Sequence, residues 1–153
     1  MASPGTTVRR ATAADLGALV PLFDAYRVFY NQPSDPGRAH RFLGERLARG
    51  DSVLLLAERD GAAAGFSQLY PMFSSVSAAR VWVLNDLFIA AGARRGGVAR
   101  ALLGAAEEFA RADGALRLEL ETTADNHAAR ALYRAAGWQP WDGTLRFRLP
   151  LDR

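Results

Sequence analysis

The residues best suited to chemistry follow a predicted strand and open a predicted helix: Arg94, Arg95, Gly96, Gly97, Val98, Ala99 and Arg100. Free backbone N–H groups and the positive end of the helix dipole make a helix N-terminus an anion site. The two glycines and the small Ala99 would let a diphosphate approach the backbone, and the three arginines add positive charge. The pattern predicts a phosphate-binding loop, the alternative being an ordinary glycine loop with solvated arginines. Neither Gly-Lys-Ser/Thr nor Gly-x-Gly-x-x-Gly occurs in the chain.

A second group of residues lies on the helix predicted at 126–136. Asn126 begins this helix, and Ala129 and Leu132 fall on one face of it. Tyr133 lies two helical turns after Asn126 and therefore projects from nearly the same side. On spacing alone, Tyr133 can equally be a core tyrosine near a helix end.

Polar and aromatic residues near the ends of other elements are further candidates. Tyr26, Arg27, Phe29 and Tyr30 form an aromatic segment at the end of the first helix. Aromatic faces suit a cationic amine and Arg27 suits a carboxylate, although such a segment can also be a helix end packed over a sheet. Two acids and an amide stand at strand ends, where they are either functional or simply solvated: Asn85, Asp86 and Glu121.

The elements that must position these residues follow from periodicity and turn signals. Strands are predicted at residues 8–10, 53–58, 62–70, 81–89, 116–120 and 145–149, and helices after Thr12 and at 39–49, 98–112 and 126–136. Pro21 is expected to kink or split the first helix, residues 31–37 to form a loop, and residues 71–79 a serine-rich connection. The order predicts an α/β fold of the mixed α+β kind, with an antiparallel front half and a β-α-β-α-β back half.

Composition narrows the range of functions. The 153 residues suit a single domain over 1–153. The absence of cysteine excludes disulfides and thiolate chemistry, and the two histidines, His40 and His127, are expected to be surface residues that bind no metal. The net charge of +3 arises from nineteen arginines, without lysine, interleaved with sixteen acids. This scatter argues against nucleic-acid binding. No apolar run of roughly 20 residues could span a membrane, and residues 1–7 lack a secretion signal, so a cytoplasmic location is expected.

Both groups of candidate residues resemble motifs of the GNAT N-acetyltransferases. The segment from Arg94 to Ala99 is similar to the family's Arg/Gln-x-x-Gly-x-Gly/Ala loop, with Arg95 where the commoner form has glycine and Ala99 as an accepted variant. The segment from Asn126 to Trp138 matches the family's Asn-x-x-Ala-x-x-Leu-Tyr-x-x-x-Gly-Trp/Phe pattern at every fixed position.

The resemblance implies a fold and an acetyl-CoA site. The fold would be a central mixed, splayed sheet flanked by helices, with a bulge in the strand at 81–89. The loop at 94–100 would hold the CoA diphosphate, and the backbone of Leu87, Phe88 and Ile89 would pair with the pantetheine amides. Asn126 and Ala129 would belong to the second cofactor segment, and Tyr133 would protonate the departing thiolate.

The resemblance also implies direct acetyl transfer to a primary amine in a ternary complex. A small-molecule acceptor is expected, such as a polyamine, an amino acid or a lysine analogue, bound by Tyr26, Arg27, Tyr30 and Asn85. Because an ammonium group must lose a proton before it attacks, Asp86 and Glu121 are candidates for accepting that proton or for binding the ammonium. Alternatives are a protein or peptide acceptor, a CoA-binding module without turnover, and an acetyltransferase that acts on tRNA. A homodimer is expected, with the strand at 145–149 as a candidate interface.

Overall fold

The computed structural model describes residues 5–152 and contains one five-stranded sheet. The elements in chain order are β1 (Thr6–Arg10), α1 (Leu16–Phe29), α2 (Pro36–Arg49), β2 (Val53–Arg59), β3 (Ala62–Ser74), β4 (Ala79–Ile89), α3 (Val98–Asp113), β5 (Leu118–Glu119) and α4 (His127–Ala135). The strand order is β1-β2-β3-β4-β5; all neighbours are antiparallel except β4 and β5, which are parallel. The predicted mixed α/β fold, with helices flanking the sheet, is confirmed.

The chain divides after Glu121 into two compact units. The first unit contains the sheet together with α1, α2 and α3, and the second contains α4 and the segment that follows it. None of the helices among the described residues is long and apolar enough to cross a membrane.

Aromatic side chains pack the helices of the first unit against the sheet. Phe23 of α1 stacks on Phe42 of α2 at 5.5 Å and meets the fully buried Phe66 of β3 edge-on at 6.0 Å. Trp82 of β4 packs instead against Phe109 of α3, with ring centroids 4.9 Å apart. Burying rings of this size is the largest apolar contribution that single residues can make to a core.

The first two helices differ from the prediction, α1 in its continuity at Pro21 and α2 in its starting residue. α1 runs through Pro21 as one helix, so the expected split does not occur. Proline removes one hydrogen bond to the carbonyl four residues earlier; both Pro21 and Gly17 are exposed, and water can reach that carbonyl. α2 begins before the predicted residue 39 because Asp35 caps it, its side chain accepting from the backbone N–H of Arg38 at 3.0 Å.

The serine-rich segment at 71–79 is mainly strand, so the prediction of a long connection there is wrong. β3 continues to Ser74 and β4 begins at Ala79, leaving a short turn. The β2 ladder ends where Val53 faces Leu69, so Pro71 pairs with β4 only. Proline lacks a donor, and an edge position of this kind tolerates that loss.

The strand predicted at residues 145–149 is also wrong. The described residues from 138 onward contain no helix or strand. Leu145, Phe147 and Leu149 are 85%, 93% and 83% exposed. Alternating apolar residues create a strand face, but the backbone hydrogen bonds of a strand must come from a partner strand, and the sequence pattern does not specify one.

Candidate active site

A bulge in β4 brings two polar side chains to the same side of the sheet. Gln68 of β3 faces Asp86 while Leu69 faces Leu84, so Asn85 is the inserted residue. The amide nitrogen of Asn85 donates to Oδ1 of Asp86 at 2.8 Å. Asn85 is exposed, whereas Asp86 is only 3% exposed. The bulge predicted from the family resemblance is therefore present, and it places a buried acid beneath an exposed amide.

The Asp86 carboxylate lies at the centre of a buried hydrogen-bond network. Nε2 of Gln68 donates to Oδ2 of Asp86 at 2.7 Å, and the Tyr26 hydroxyl donates to Oδ1 at 3.2 Å. Oε1 of Gln68 accepts from the Ser52 hydroxyl at 2.8 Å. Burial raises the pKa of Asp86 above its ordinary value, and the donors lower it in part. The acid is thus held in place by neutral donors alone among the described residues.

The aromatic segment at the end of α1 reaches this network through Tyr26. The Tyr26 hydroxyl also lies 3.3 Å from the backbone oxygen of Asn85. Burial, followed by the nearby charge of Asp86, raises the pKa of Tyr26. The ring of Tyr30, 57% exposed, meets the Tyr26 ring edge-on at 5.1 Å. Two of the predicted acceptor residues, Tyr26 and Asn85, therefore contact Asp86, and Tyr30 packs against Tyr26.

Two other predicted residues of the first unit are less well integrated. Arg27 is half-buried, and its Nη1 atom has no hydrogen-bond partner among the described residues. Glu121, the last residue of the first unit, is exposed and lies outside any regular element. Arg27 forms no hydrogen bond with Asp86 among residues 5–152.

β4 and β5 separate soon after they pair, which leaves a long open edge on β4. Their parallel ladder contains only Trp82 opposite Leu118 and Val83 opposite Glu119. Residues 84–89, apart from the inserted Asn85, pair with β3 on one side, and no described strand pairs with them on the other. Leu87, Phe88 and Ile89 are half-buried along this edge. The sheet is splayed as predicted, and the free backbone groups can pair with an extended ligand.

The loop after β4 has the features of an anion site. Arg95 has φ 66° and Gly97, the N-cap of α3, has φ 80°, so both adopt left-handed conformations. No side chain caps α3, which leaves the N–H groups of its first turn without a side-chain acceptor in the part of the chain described. Val98, the first residue of α3, is 1% exposed and anchors the helix in the core. This arrangement fits an anionic diphosphate.

The arginines of the loop remain available to an anion. Nε of Arg94 donates to the Ile89 carbonyl at 3.3 Å, and its guanidinium lies 5.8 Å from the Phe88 ring. Arg94, Arg95 and Arg100 form no ion pair with an acid of residues 5–152. Ala99, in the first turn of α3, is half-buried.

Two cavities flank the start of this loop. One, of about 640 Å³, is lined by the β2–β3 hairpin and the loop, including Arg59, Asp60, Arg94, Arg95 and Gly96. The other, of about 490 Å³, lies between α1 and the end of β4 and is mainly apolar, with Ala25, Phe29, Phe88 and Arg94 among its lining residues.

In the second unit, α4 carries the remaining predicted residues. Oδ1 of Asn126 accepts from the backbone N–H of Ala129 at 3.2 Å, so Asn126 caps the helix. Tyr133 is half-buried, and its ring centroid lies 6.2 Å from that of Trp138. The Trp138 N–H also donates to the Tyr133 carbonyl at 2.9 Å, which ends the helix tightly. His127, like His40, is exposed.

Several residues of the site belong to neither sequence motif and are not among the predicted residues. Gln68 and Ser52 orient Asp86, and Tyr70, half-buried on β3, has a pKa raised by burial and then by the charge of Asp86. A polar Gln68 inside an apolar strand was the available signal for this network. Arg59 lines the cavity next to the loop, although it is distant from the loop in sequence and belongs to no motif.

Comparisons with known proteins agree with this geometry. Residues 19–138 match the family model described as the Acetyltransferase (GNAT) family. The N-acetyltransferase YhfO of Bacillus subtilis is 44% identical over 142 residues, covering 93% of this chain and 95% of that protein. An aminoglycoside N(6')-acetyltransferase type 1 of Klebsiella aerogenes is 34% identical, covering 72% of this chain and 74% of that protein.

A solved structure extends the similarity to the fold. The crystal structure of a probable acetyltransferase superposes with a TM-score of 0.90 at 40% identity, covering 96% of this chain and 99% of that one. The chain therefore belongs to the GNAT family of acetyltransferases.

Proposed function

We propose that the protein transfers an acetyl group from acetyl-CoA to the primary amine of a small molecule. One observation carries the proposal: β4 parts from β5 after Val83, and its open edge leads directly into the uncapped, arginine-flanked start of α3. Such an edge suits an extended chain of amides, and such a helix start suits a diphosphate. The GNAT family uses acetyl-CoA, whose pantetheine arm and diphosphate have this chemistry.

The cofactor-binding roles are divided between the open edge, the loop and α4. Backbone groups of Leu87, Phe88 and Ile89 hold the pantetheine amides, and the loop from Arg94 to Arg100 holds the diphosphate. Asn126 and Ala129 are assigned to acetyl-CoA binding because they belong to the second family motif. Acetyl-CoA supplies an activated thioester when bound, and backbone donors facing its carbonyl would polarise it.

The acceptor site is formed by Tyr26, Arg27, Tyr30 and Asn85. The amine must attack in its neutral form, so Asp86 and Glu121 are assigned to proton acceptance or to binding the ammonium. The raised pKa of Asp86 supports this assignment, because the carboxyl group then titrates closer to the pH at which an amine begins to lose its proton. Tyr133 is assigned to donate a proton to the departing thiolate of CoA.

The small-molecule acceptor is supported by the relatives. One relative, an aminoglycoside N(6')-acetyltransferase type 1, is 34% identical to this chain over 112 residues, and its name gives a small-molecule amine as its acceptor. We extend to this chain only the class of acceptor, a small primary amine, and not the aminoglycoside itself. The protein is further proposed to be a cytoplasmic single-domain enzyme and a homodimer, with the exposed apolar residues near the C-terminus, among them Leu145 and Phe147, as the dimer surface.

The test is release of CoA thiol from acetyl-CoA across a panel of polyamines, amino acids, aminoglycosides and peptides. Because the chain contains no lysine, acetylation of enzyme side-chain amines adds no background. Release with one small-amine class supports the proposal and names the acceptor. Release with peptides alone would replace it with the protein acceptor, and tight acetyl-CoA binding without any release would leave a binding module.

Three variants then test the assigned roles. Tyr133→Phe should lower kcat while leaving the acetyl-CoA Kd unchanged, and an unchanged kcat would remove Tyr133 from the mechanism. Asp86→Asn and Glu121→Gln should be compared by their pH–rate profiles. The proton acceptor is the residue whose loss costs about 10²–10⁴ in rate and removes the acid limb of the profile.

A further inference from the structure

Arg59 occupies the space where a side chain of Gly96 would lie. A Cβ atom built on Gly96 would be 2.6 Å from Cζ of Arg59 and 2.9 Å from its Nη2, and closer still to Nη1. The backbone of Gly96 does not adopt a positive φ. Glycine is therefore needed at this position for close approach and not for an unusual conformation.

The sheet anchors Arg59 firmly on the other side of this contact. Arg59 is the last residue of β2; it faces Thr6 of β1 and Ala62 of β3. Its side chain is half-buried and reaches from the sheet to the underside of the loop. Since both neighbouring strands fix the backbone of Arg59, its side chain links the sheet to the loop at Gly96.

The charge of Arg59 is not neutralised where it meets the loop. Arg59 forms no ion pair or side-chain hydrogen bond with an acid within residues 5–152. Asp60 also lines the cavity, but its Oδ1 lies beside Gly5. Arg94 and Arg95 line the same cavity. Three guanidinium groups that line one cavity repel each other, and a bound anion would relieve that repulsion.

We propose that Arg59 is a positioning residue for the diphosphate loop, packing its guanidinium against Gly96 and adding positive potential beneath the loop. This inference rests on the proposed function, because it assumes that the loop binds the diphosphate of acetyl-CoA. It assigns a role to a residue that belongs to neither sequence motif. The expected consequence is a change in acetyl-CoA affinity with little change in the rate of transfer.

The test is a double-mutant cycle with Arg59→Ala and Gly96→Ala, read by the calorimetric Kd for acetyl-CoA and by kcat at saturation. Arg59→Ala should raise Kd about tenfold, the scale of one lost charged interaction. Gly96→Ala should raise Kd severalfold because the new methyl group displaces the guanidinium. The double variant should bind no more weakly than Arg59→Ala, since the displaced group is already gone. The kcat of Arg59→Ala at saturating acetyl-CoA should change less than twofold.

Two further variants keep the inference falsifiable. Arg49→Ala removes the same charge from the exposed end of α2 and should leave Kd unchanged. Arg59→Lys keeps the positive charge but removes the planar guanidinium, and it should still raise the Kd for acetyl-CoA. This variant replaces Arg59→Ala in the test if Arg59→Ala does not fold. A Kd within twofold of wild type for Arg59→Ala, or effects of the two substitutions that multiply, would overturn the inference while the proposed function stands. A wild-type protein that fails to bind acetyl-CoA would overturn both.

Discussion

Replacing Asp86 with alanine would remove the acceptor at the centre of the buried network. Nε2 of the fully buried Gln68 would lose its partner, at a cost of about 1–3 kcal/mol. The Tyr26 hydroxyl keeps its hydrogen bond to the Asn85 carbonyl at 3.3 Å, and the exposed side-chain amide of Asn85 can form a hydrogen bond with water. The loss of their hydrogen bonds to Asp86 therefore adds little to the cost. The small gap left behind adds about 1 kcal/mol. We therefore expect Asp86→Ala to lower the unfolding free energy by about 2–4 kcal/mol.

The effect should depend on pH in a defined direction. The folded-state pKa of Asp86 is raised above its ordinary value of 3.8 by burial. A raised acid pKa contributes stability that is fully present below the unfolded pKa and is lost as pH rises through the folded one. The difference between wild type and Asp86→Ala should thus be larger at pH 4 than at pH 8.

The assay is urea unfolding at both pH values, with thermal unfolding as a second readout. At roughly 2–4 °C per kcal/mol, the Tm should fall by about 4–16 °C. Glu108→Ala, an exposed acid on α3, is the matched control and should change the Tm little. A cycle with Gln68→Ala should give a coupling energy of at least about 1 kcal/mol. Additive effects of the two substitutions, or an Asp86→Ala Tm equal to wild type, would refute the assignment of Asp86 as the network's centre.

Three other substitutions follow from local geometry. Gly65→Ala would place a Cβ 2.7 Å from the Phe88 carbonyl oxygen, and this clash with backbone should cost about 1–3 kcal/mol in urea unfolding; a neutral effect would contradict the packing there. Arg95 has a left-handed φ of 66°, which costs a non-glycine residue about 1–2 kcal/mol. Arg95→Gly removes this strain but adds an entropy cost of about 0.5–1 kcal/mol. The Tm should therefore rise slightly, and a fall would contradict the strain. Asp15→Asn breaks the ion pair with Arg9, whose hydrogen bonds lower the pKa of Asp15 to about 2. At pH 7 the loss should be about 1 kcal/mol, and it should vanish as pH falls from 3.8 towards 2, whereas a pH-independent loss would argue against the pair.

The elements with strong local signals were predicted well from the sequence. α3 begins at Val98 as predicted because the glycines before it and the apolar spacing within it agree. The strands predicted at 53–58 and 62–70 form a hairpin, and the two residues that join them, Asp60 and Gly61, both adopt positive φ. The bulge at Asn85 was expected only from the family resemblance. Nothing in the local sequence marks an inserted residue, since register depends on the facing strand.

The parts of the site that sequence reasoning missed depend on contacts between distant segments. Ser52, Gln68 and Asp86 come from three strands, and only the sheet register brings them into one network. Arg59 meets Gly96 for the same reason. The sequence predicts that Asp86 lies at a strand end, either solvated or functional. Its near-complete burial follows from α1, whose Tyr26 contacts the bulge. Periodicity predicts which face a residue occupies, but it does not predict what covers that face.

The open edge of β4 also bears on how the protein behaves in concentrated solution. An unpaired strand edge accepts strands from other molecules as well as ligands, and is a common starting point for aggregation. The inserted Asn85 interrupts the even spacing of backbone groups, so an incoming strand can stay in register only over the short stretch beyond it. The inserted residue thereby makes the open edge of β4 a poor template for another polypeptide. Storage of the protein with its cosubstrate should cover what remains of that edge and keep the protein monodisperse.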